Sequence, residues 1–491
     1  MKSIQLKNYK CFENTGEMEL RPLNFLVGSN SSGKSSFLEF FPLLQQSMKI
    51  NRDGAFLWVG SNVDLNNFHT VVRNGEGMIS IEFNIDRIPL LSNSFVNKDL
   101  ALKNVKVGID VTGIEYGDAI SEIRLFFNQQ KVILKLNERE SDDVIINDER
   151  MTYDGEHIAH SYTNSLLPKF LFEAAFFEME SQKGNKELYT WTRQHFKNKE
   201  RMMPGSIIYR LRNLIDKKQF ERRLHNYLNE DVEAGSVNFE HIYNLALFTN
   251  LNDIIDLVNY YMLELSENIE YLQPLRAPAE RYYRKRNISV NKITPSGDNV
   301  VMFLLRLQRE AKLDLFNEWL RDNDMKFKVD LNEEGGFIEL KIIEDGKDGK
   351  NMVDVGFGYS QILPILTTIW KDIYYRDVFA NRVSYCNTSI ILIEQPELHL
   401  HPRFQRKFAN LLTKCVKQIA GNKQDIRIII ETHSQDILNS VGLSVAYGDF
   451  DASLVNIYMF NAQNENMKNY IEKASYTKEG FLVNWPIGFF E

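Results

Sequence analysis

The sequence predicts an α/β protein whose mixed sheet, flanked by helices, is assembled from both ends of the chain around a helical insertion. Three observations point there. A glycine loop, Gly28-Ser-Asn-Ser-Ser-Gly-Lys-Ser35, follows the apolar run 23–27 and precedes a helical pattern, a strand–loop–helix unit near residue 30. Two further apolar runs, 390–393 and 428–430, each end in a carboxylate, Glu394 and Glu431, and read as buried strands. Between these halves, 165–272 carries Leu, Phe, Tyr and Ile at three- and four-residue spacing. The expected organisation is 1–150 and 271–491 as the two parts of one α/β head, with 151–270 inserted.

Along the chain, 3–6 and 18–20 alternate as strands, and a helix is expected over 35–48. Strand-like runs return at 78–85, 105–111, 120–127 and 131–136. The acidic piece 137–150 reads as a loop. In the helical segment 207–228 and 237–272 stand out, and neither keeps a heptad long enough for an extended coiled coil. After residue 275, α/β character returns. A helix is expected over 300–322, strands over 327–331 and 337–343, a helix over 360–375, a strand over 389–393, a helix over 403–420 and a strand over 427–430.

Composition bounds the function. At 491 residues the chain exceeds one compact core, so two or three lobes are expected. Hydrophobic residues at 43% and charged residues at 25% are those of a globular protein. No run of about 18 apolar residues is present, so no membrane span is expected. The start MKSIQLKNYKCF lacks an apolar core and cleavage site and reads as a cytoplasmic start. Cys11, Cys386 and Cys415 are scattered, giving neither a disulfide framework nor a zinc pattern. The net charge of −8 argues against a generally basic nucleic-acid coat but leaves room for a local basic patch.

The chemistry lies in four short motifs. The first fits the phosphate loop G-x-x-x-x-G-K-[ST]. Gly28 and Gly33 let the backbone turn its N–H groups inward on phosphate oxygens, and the next helix presents its positive end to the same anion. Lys34 places a charge on the β- and γ-phosphates, Ser35 offers its hydroxyl to Mg²⁺, and Ser36 completes the nucleotide-contacting turn. Second, Glu394 at the end of Ile390-Ile-Leu-Ile-Glu-Gln-Pro-Glu397 is placed to hold Mg²⁺; the plainer reading is a strand ending in a polar turn. Third, Ile428-Ile-Ile-Glu-Thr-His-Ser434 delivers His433 at a strand end, as a γ-phosphate sensor or as a structural histidine. Fourth, Val355-Gly-Phe-Gly-Tyr-Ser-Gln361 precedes an apolar helix, and Gly358 and Ser360 make either an anion site or an ordinary turn with Ser360 as N-cap.

Phosphate loop, glycine–serine signature, carboxylate strand and histidine, taken together, resemble ABC-type ATPases of the SMC and RecF kind. The resemblance is nearer still to the OLD-like ATPases of prokaryotes. NYKCFENTGEMELRPLNFLVGSNSSGKSS is similar to their N-terminus, VGFGYSQILPIL to their signature, IEQPELHLHPRFQ to their carboxylate segment and ETHS to their switch. YLQPLRAPAERYY and NWPIGFFE resemble a subgroup. The likeness covers roughly 1–85 and 270–491.

This resemblance implies an ABC-type ATPase head that binds ATP and Mg²⁺. It implies a head-to-tail homodimer, or a higher oligomer, in which Gly358 and Ser360 reach the nucleotide of the other copy. It also implies that Asn30 positions phosphate or water in cis, and that Gln45 or Gln46 takes a Mg²⁺-linked role. Such ATPases usually end the carboxylate strand Asp-Glu, whereas this chain has Glu394-Gln395. Gln orients a water but is a poor general base, so slow hydrolysis is expected, with Glu397 or Glu431 as alternative carboxylates.

The resemblance further implies an anti-phage defence role like that of the Septu or PARIS ATPase subunits. There the ATPase works with a separately encoded nuclease of HNH or Toprim type and answers a nucleic-acid or phage-protein trigger. The stretch after Ser434 has no room for a Toprim core, and Asp449 and Asp451 read as loop residues. The second hypothesis is a RecF- or SMC-like repair ATPase that binds DNA directly.

Two basic clusters remain open. Lys197, Lys199, Arg201, Arg210, Arg212, Lys217, Lys218 and Arg222 form a contact for nucleic acid or an acidic partner, or else a solvated helix face. The second is Arg276, Arg281, Arg284, Lys285 and Arg286; Arg276 and Arg281 fall in the family-like PLRAPAER segment and couple to the nucleotide state, or else the cluster is a turn paired to nearby acids.

Overall fold

The computed structural model describes residues 1–75, 77–89, 101–115, 117–137, 140–151, 158–161, 165–171, 217–227, 237–286, 290–375, 385–461 and 471–485. Contacts divide the chain into two units, Met1–Met18 with Leu43–Ser266, and Glu19–Pro42 with Glu267–Glu491. These cuts differ from the three segments suggested by residue pattern. The phosphate-loop strand goes with the C-terminal half, and the strands after Leu43 go with the helical stretch.

The first unit is built on an antiparallel sheet. Its long strands Met78–Pro89, Ala101–Ile114, Gly117–Phe127, Gln130–Leu136 and Glu140–Ile146 pair in chain order, with Ser3–Tyr9 on the outer side of the first. The piece 137–150, expected as a loop, is instead the strand Glu140–Ile146 turning into Glu149–Met151. Asn147 and Asp148 sit at φ 50° and 67°, a left-handed two-residue turn that short polar side chains tolerate. Polar composition hid a hairpin there.

The helices Val237–Thr249 and Leu251–Glu267 belong to this same unit. Asn244 Nδ2 donates to Glu149 Oε2 at 2.7 Å, Asn259 Nδ2 to the Leu167 carbonyl at 3.0 Å, and the Met1 amine to the Tyr261 hydroxyl at 2.7 Å. Gln45 and Gln46 also lie here, and both are spent on structure. Gln45 Nε2 donates to the Ser266 carbonyl, and Gln46 bridges Leu57, Asn62 and Val63.

The second unit has the expected fold class: α/β, with a mixed sheet flanked by helices and strands drawn from both ends of the chain. The strand order is Ile269–Leu272, Ser389–Glu394, Ile426–Glu431, Leu23–Gly28, Val455–Phe460, Ile471–Tyr476, Leu482–Val483. The first five are mutually parallel, and the last two join antiparallel. Parallel strands covered on both faces read as continuous apolar runs. Ser389–Glu394, Leu23–Gly28 and Val455–Phe460 are buried at every position. One core takes in these strands and the helices Val300–Arg309, Leu313–Asp322, Phe357–Trp370, Pro402–Gly421 and Gln435–Ala446.

Several element expectations are corrected. The run 237–272 is helical only to Glu267; Ile269–Leu272 is a strand beside the carboxylate strand, with Tyr271 opposite Leu392. The helix over 300–322 is two. Ala311 at φ 55° ends the first, with Lys312 N–H on the Leu307 carbonyl and Ala311 N–H on that of Gln308, a Schellman closure. The helix after the phosphate loop is likewise split, Lys34–Leu38 and Phe40–Ser47. Of the basic cluster, Lys197 to Arg212 lie outside the described residues. Lys217, on the helix Lys217–Tyr227, is spent on Glu240 at 2.6 Å, while Lys218 and Arg222 are exposed.

At the end of the sheet away from Glu394, a buried ion cluster anchors the edge strand. Lys371 Nζ lies 2.6 Å from Glu270 Oε1 and 3.3 Å from Asp372 Oδ1, and Ser389 donates its hydroxyl to Asp372. All three charged groups are almost fully buried. Lys371→Met leaves two buried carboxylates unpaired and is expected to cost about 4 kcal/mol, read as a lower urea midpoint with an unchanged m-value. Glu270→Gln, which keeps the shape, costs less.

Candidate nucleotide site

The parallel register brings four strand ends side by side. Glu394 pairs with Glu431, Glu431 with Leu26, and Phe460 with Gly28. The C-terminal edge of a parallel sheet is where α/β folds bind ligands, and all four motifs of the sequence belong to this unit.

At the phosphate loop, Gly28 has φ 156°, and a Cβ there would lie 2.4 Å from the Phe460 carbonyl oxygen. The strand pairing therefore demands glycine. Gly33 has φ 99° and opens the helix Lys34–Leu38 as its N-cap, without a side-chain cap. Lys34 is buried, and its ammonium donates to the carbonyls of Gly28 at 3.0 Å and Ser29 at 2.7 Å. Burial lowers its pKa, partly opposed by Glu431 and Glu397. Asn30 is exposed at the loop tip, and Ser36 is half-buried.

The acid beside Ser35 is Glu431. Ser35 Oγ donates to Glu431 Oε2 at 2.9 Å, and Glu431 Oε1 is 4.0 Å from Lys34 Nζ. Glu394, the predicted Mg²⁺ ligand, instead accepts the Tyr271 hydroxyl at 2.6 Å. Burial pushes its carboxyl up to about 7, reinforced by the negative charges of Glu431 and Glu39 and opposed by Tyr271 and Arg276. Burial also raises Glu431, against Ser35 and Lys34. Two near-buried carboxylates and a serine hydroxyl are a hard-oxygen set that suits Mg²⁺. Tyr271 carries no local signal of this role, because the helical pattern before it runs on through its strand.

Glu397 is a clamp. Its Oε2 accepts the Thr432 hydroxyl at 2.9 Å and its Oε1 the His433 backbone N–H at 2.6 Å. It thereby holds the turn that carries His433. Burial raises its pKa, opposed by the His433 N–H. His433 Nε2 is buried without a partner, and burial together with the Lys34 charge lowers its pKa, so a neutral ring is favoured. Gln395 sits at φ 42° with its N–H on the Glu431 carbonyl at 2.8 Å, and it is half-buried.

The signature reads differently from a simple cap. The helix Phe357–Trp370 begins after Gly356 at φ 105°, with no side chain capping it. Ser360 lies inside the first turn, and its hydroxyl donates to the Phe357 carbonyl at 2.7 Å. Gly358 packs so that a Cβ would stand 3.2 Å from the His399 carbonyl oxygen. Val353 and Phe357 are exposed at this loop. Asp451 caps a short turn through the Ser453 N–H, and Asp449 is exposed. No cluster of three or more metal-ligating side chains occurs among the described residues.

The arrangement fits a nucleoside triphosphate. A lysine and a helix start converge on a glycine loop, carboxylates stand at the serine hydroxyl, and His433 Nε2 and two Arg276 N–H groups are buried without partners. The clamp role of Glu397 is testable. Glu397→Gln offers one acceptor oxygen to two donors and is expected to cost about 2 kcal/mol, whereas Gln395→Ala changes stability by under about 0.5 kcal/mol. Chemical denaturation of both variants decides it, and equal small effects would remove the clamp.

Among known proteins, the chain is similar to Endonuclease GajA of Bacillus cereus (strain HuB5-5), 28% identical over 88 residues, which are 17% of this chain and 12% of that one. Solved structures with a likeness include the Smc head bound to the C-winged helix domain of ScpA. It is 10% identical, with 97% of each chain covered and a TM-score of 0.36. Another is the Smc head domain with an extended coiled coil bound to the C-terminal domain of ScpA, from Pyrococcus furiosus. It is 12% identical, covers 97% of this chain and 96% of that one, and has a TM-score of 0.35. No described helix is long and apolar enough to cross a membrane. The AAA ATPase domain family matches residues 1–438, the greater part of the chain, and the protein belongs to that family.

Proposed function

We propose that the chain is an ATP-binding, slowly hydrolysing head of the ABC type that works as a nucleotide-gated regulator. It closes with a second copy and controls a separately encoded effector, a nuclease, in anti-phage defence. The observation that carries the ATP reading is the register that sets Glu394, Glu431 and the phosphate loop on three adjacent parallel strands.

Lys34 and the loop N–H groups hold the phosphates, His433 stands at the γ-phosphate, and Ser35 with Glu431 and Glu394 holds Mg²⁺. The metal supplies neutralisation of phosphate charge. Hydrolysis is slow because the residue after Glu394 is an amide, and because the nearby Glu397 is engaged by Thr432 and His433. The signature helix supports pairing of two copies. Its first turn is uncapped and flanked by exposed Val353 and Phe357, a surface suited to a second nucleotide site. The likeness to an endonuclease over a short stretch is in keeping with an effector that acts on nucleic acid.

Wild type is expected to sediment as a dimer with ATP and Mg²⁺ and as a monomer without. Lys34→Ala is expected to lose at least about tenfold in ATP affinity and to stay monomeric in both. Dimerisation indifferent to nucleotide would sink the gating. A pull-down from the native host, with and without ATP, tests the effector. A nuclease in stoichiometric amount supports the defence regulator, and DNA with repair proteins alone would replace it by a DNA-binding repair ATPase.

A further inference from the structure

Arg276 is 4% exposed, yet only one of its guanidinium nitrogens is used. Nη2 donates to the backbone carbonyl of Glu394 at 2.7 Å, while Nε and Nη1 are buried without partners. The side chains of Glu397 and Glu394 are within electrostatic reach, but neither forms an ion pair with it. A buried cation with two idle donors is costly unless an anion completes it. Glu397 is also within electrostatic reach of Lys34, so both cations flank the same carboxylate.

The segment that carries Arg276 is fastened twice to the signature. Five residues on, Arg281 makes a two-pronged pair with Asp354, Nη1 to Oδ2 at 3.0 Å and Nη2 to Oδ1 at 2.6 Å, two residues before Gly356. The Arg281 carbonyl also accepts Asn351 Nδ2 at 2.9 Å, and Asn351 Oδ1 accepts the Val353 N–H at 3.1 Å. On the other side, the N–H groups of Gln273 and Ala277 bond the carbonyls of Pro295 and Ser296. The next residue, Gly297, lies so close to Pro364 of the signature helix that a Cβ would come within 2.6 Å of the ring.

We propose that Arg276 is a further nucleotide-binding residue: an N–H left idle on its guanidinium donates to an oxygen of the terminal phosphate, and the segment 273–284 transmits that occupancy to the signature loop through Arg281 and Asp354. A guanidinium suits this better than an ammonium, since Nη2 can hold the Glu394 carbonyl while Nε and Nη1, fixed in the same plane, keep N–H groups to donate elsewhere. The proposal rests on the nucleotide reading above and adds to it a means of telling triphosphate from diphosphate.

The test is equilibrium binding of fluorescent ADP and of a fluorescent ATP analogue with a non-hydrolysable β–γ bridge, to wild type, Arg276→Lys, Arg281→Ala and Lys34→Ala. Arg276→Lys keeps the buried charge, and an unchanged melting temperature without nucleotide shows that it folds. It is expected to lose about tenfold in triphosphate affinity and to hold ADP within about twofold of wild type. Arg281→Ala, at an exposed pair, is expected to bind both nucleotides as wild type does yet to fail to dimerise with the triphosphate. An unchanged triphosphate-to-diphosphate ratio in Arg276→Lys, with Lys34→Ala impaired, overturns this inference alone. Wild type that binds neither nucleotide overturns the nucleotide reading itself. Nucleotide-dependent dimerisation that survives Arg281→Ala overturns the transmission.

Discussion

The nucleotide end of this protein depends on one constraint, the parallel pairing of Leu23–Gly28 between Ile426–Glu431 and Val455–Phe460. Three of the four motifs are strand ends or turns hung from one, and the signature instead opens a helix packed in the same core. If the register of Ile426–Glu431 shifted by one residue, Glu431 would leave Ser35 and the side chains would exchange faces. The continuous apolar runs resist such a slip only in part, because every face is buried. Polar anchors at the opposite end add specificity. Asn24 donates to the Ile428 carbonyl, Arg427 to that of Leu20, and Asn456 to that of Glu19.

The site concentrates ionisable groups where solvent is scarce. Glu394, Glu431 and Glu397 all sit above the ordinary carboxylate range because of burial, and Lys34 sits below its own for the same reason. Within the chain some groups have found substitutes for a ligand: Lys34 uses the loop's own carbonyls, and Ser35 uses Glu431. Others have none, as with His433 Nε2 and two nitrogens of Arg276. The first kind must exchange partners on binding, and the second kind gains them outright. In the proposed nucleotide complex the second kind contributes more, because an exchange of hydrogen bonds is close to neutral while filling a buried vacancy removes a penalty.

Much of this was legible in the residues because the relevant patterns are short and local. The phosphate loop and the strands expected over 389–393, 427–430, 327–331 and 337–343 announce themselves through glycine spacing, apolar runs and alternation. What stayed hidden depended on tertiary context. Tyr271 looks helical because the pattern before it is, and only its pairing with Leu392 makes it a strand residue at the site. Ala311 carries no breaker signature, yet it ends a helix with positive φ. The hairpin at Asn147-Asp148 was masked by acidic neighbours. The roles of Glu431 and Glu394 relative to Ser35 could not be ordered from spacing, since both end equivalent strands, and only the strand order separates them: Ile426–Glu431 lies beside the phosphate-loop strand and Ser389–Glu394 one place further.

The strand order has a consequence for biosynthesis. The phosphate-loop strand appears at the beginning of the chain, but both of its sheet neighbours come from residues beyond 425. Contacts of such sequence separation form late, because the closure entropy of a long loop precedes any gain from pairing. A nascent chain thus displays an apolar segment, Leu-Asn-Phe-Leu-Val, throughout most of its translation with no edge to join. The first unit, whose sheet pairs mostly neighbour to neighbour, is able to fold well before then. Nucleotide binding is therefore a property acquired only when residues 426–460 have left the ribosome, and until that moment residues 23–27 are a natural target for a chaperone.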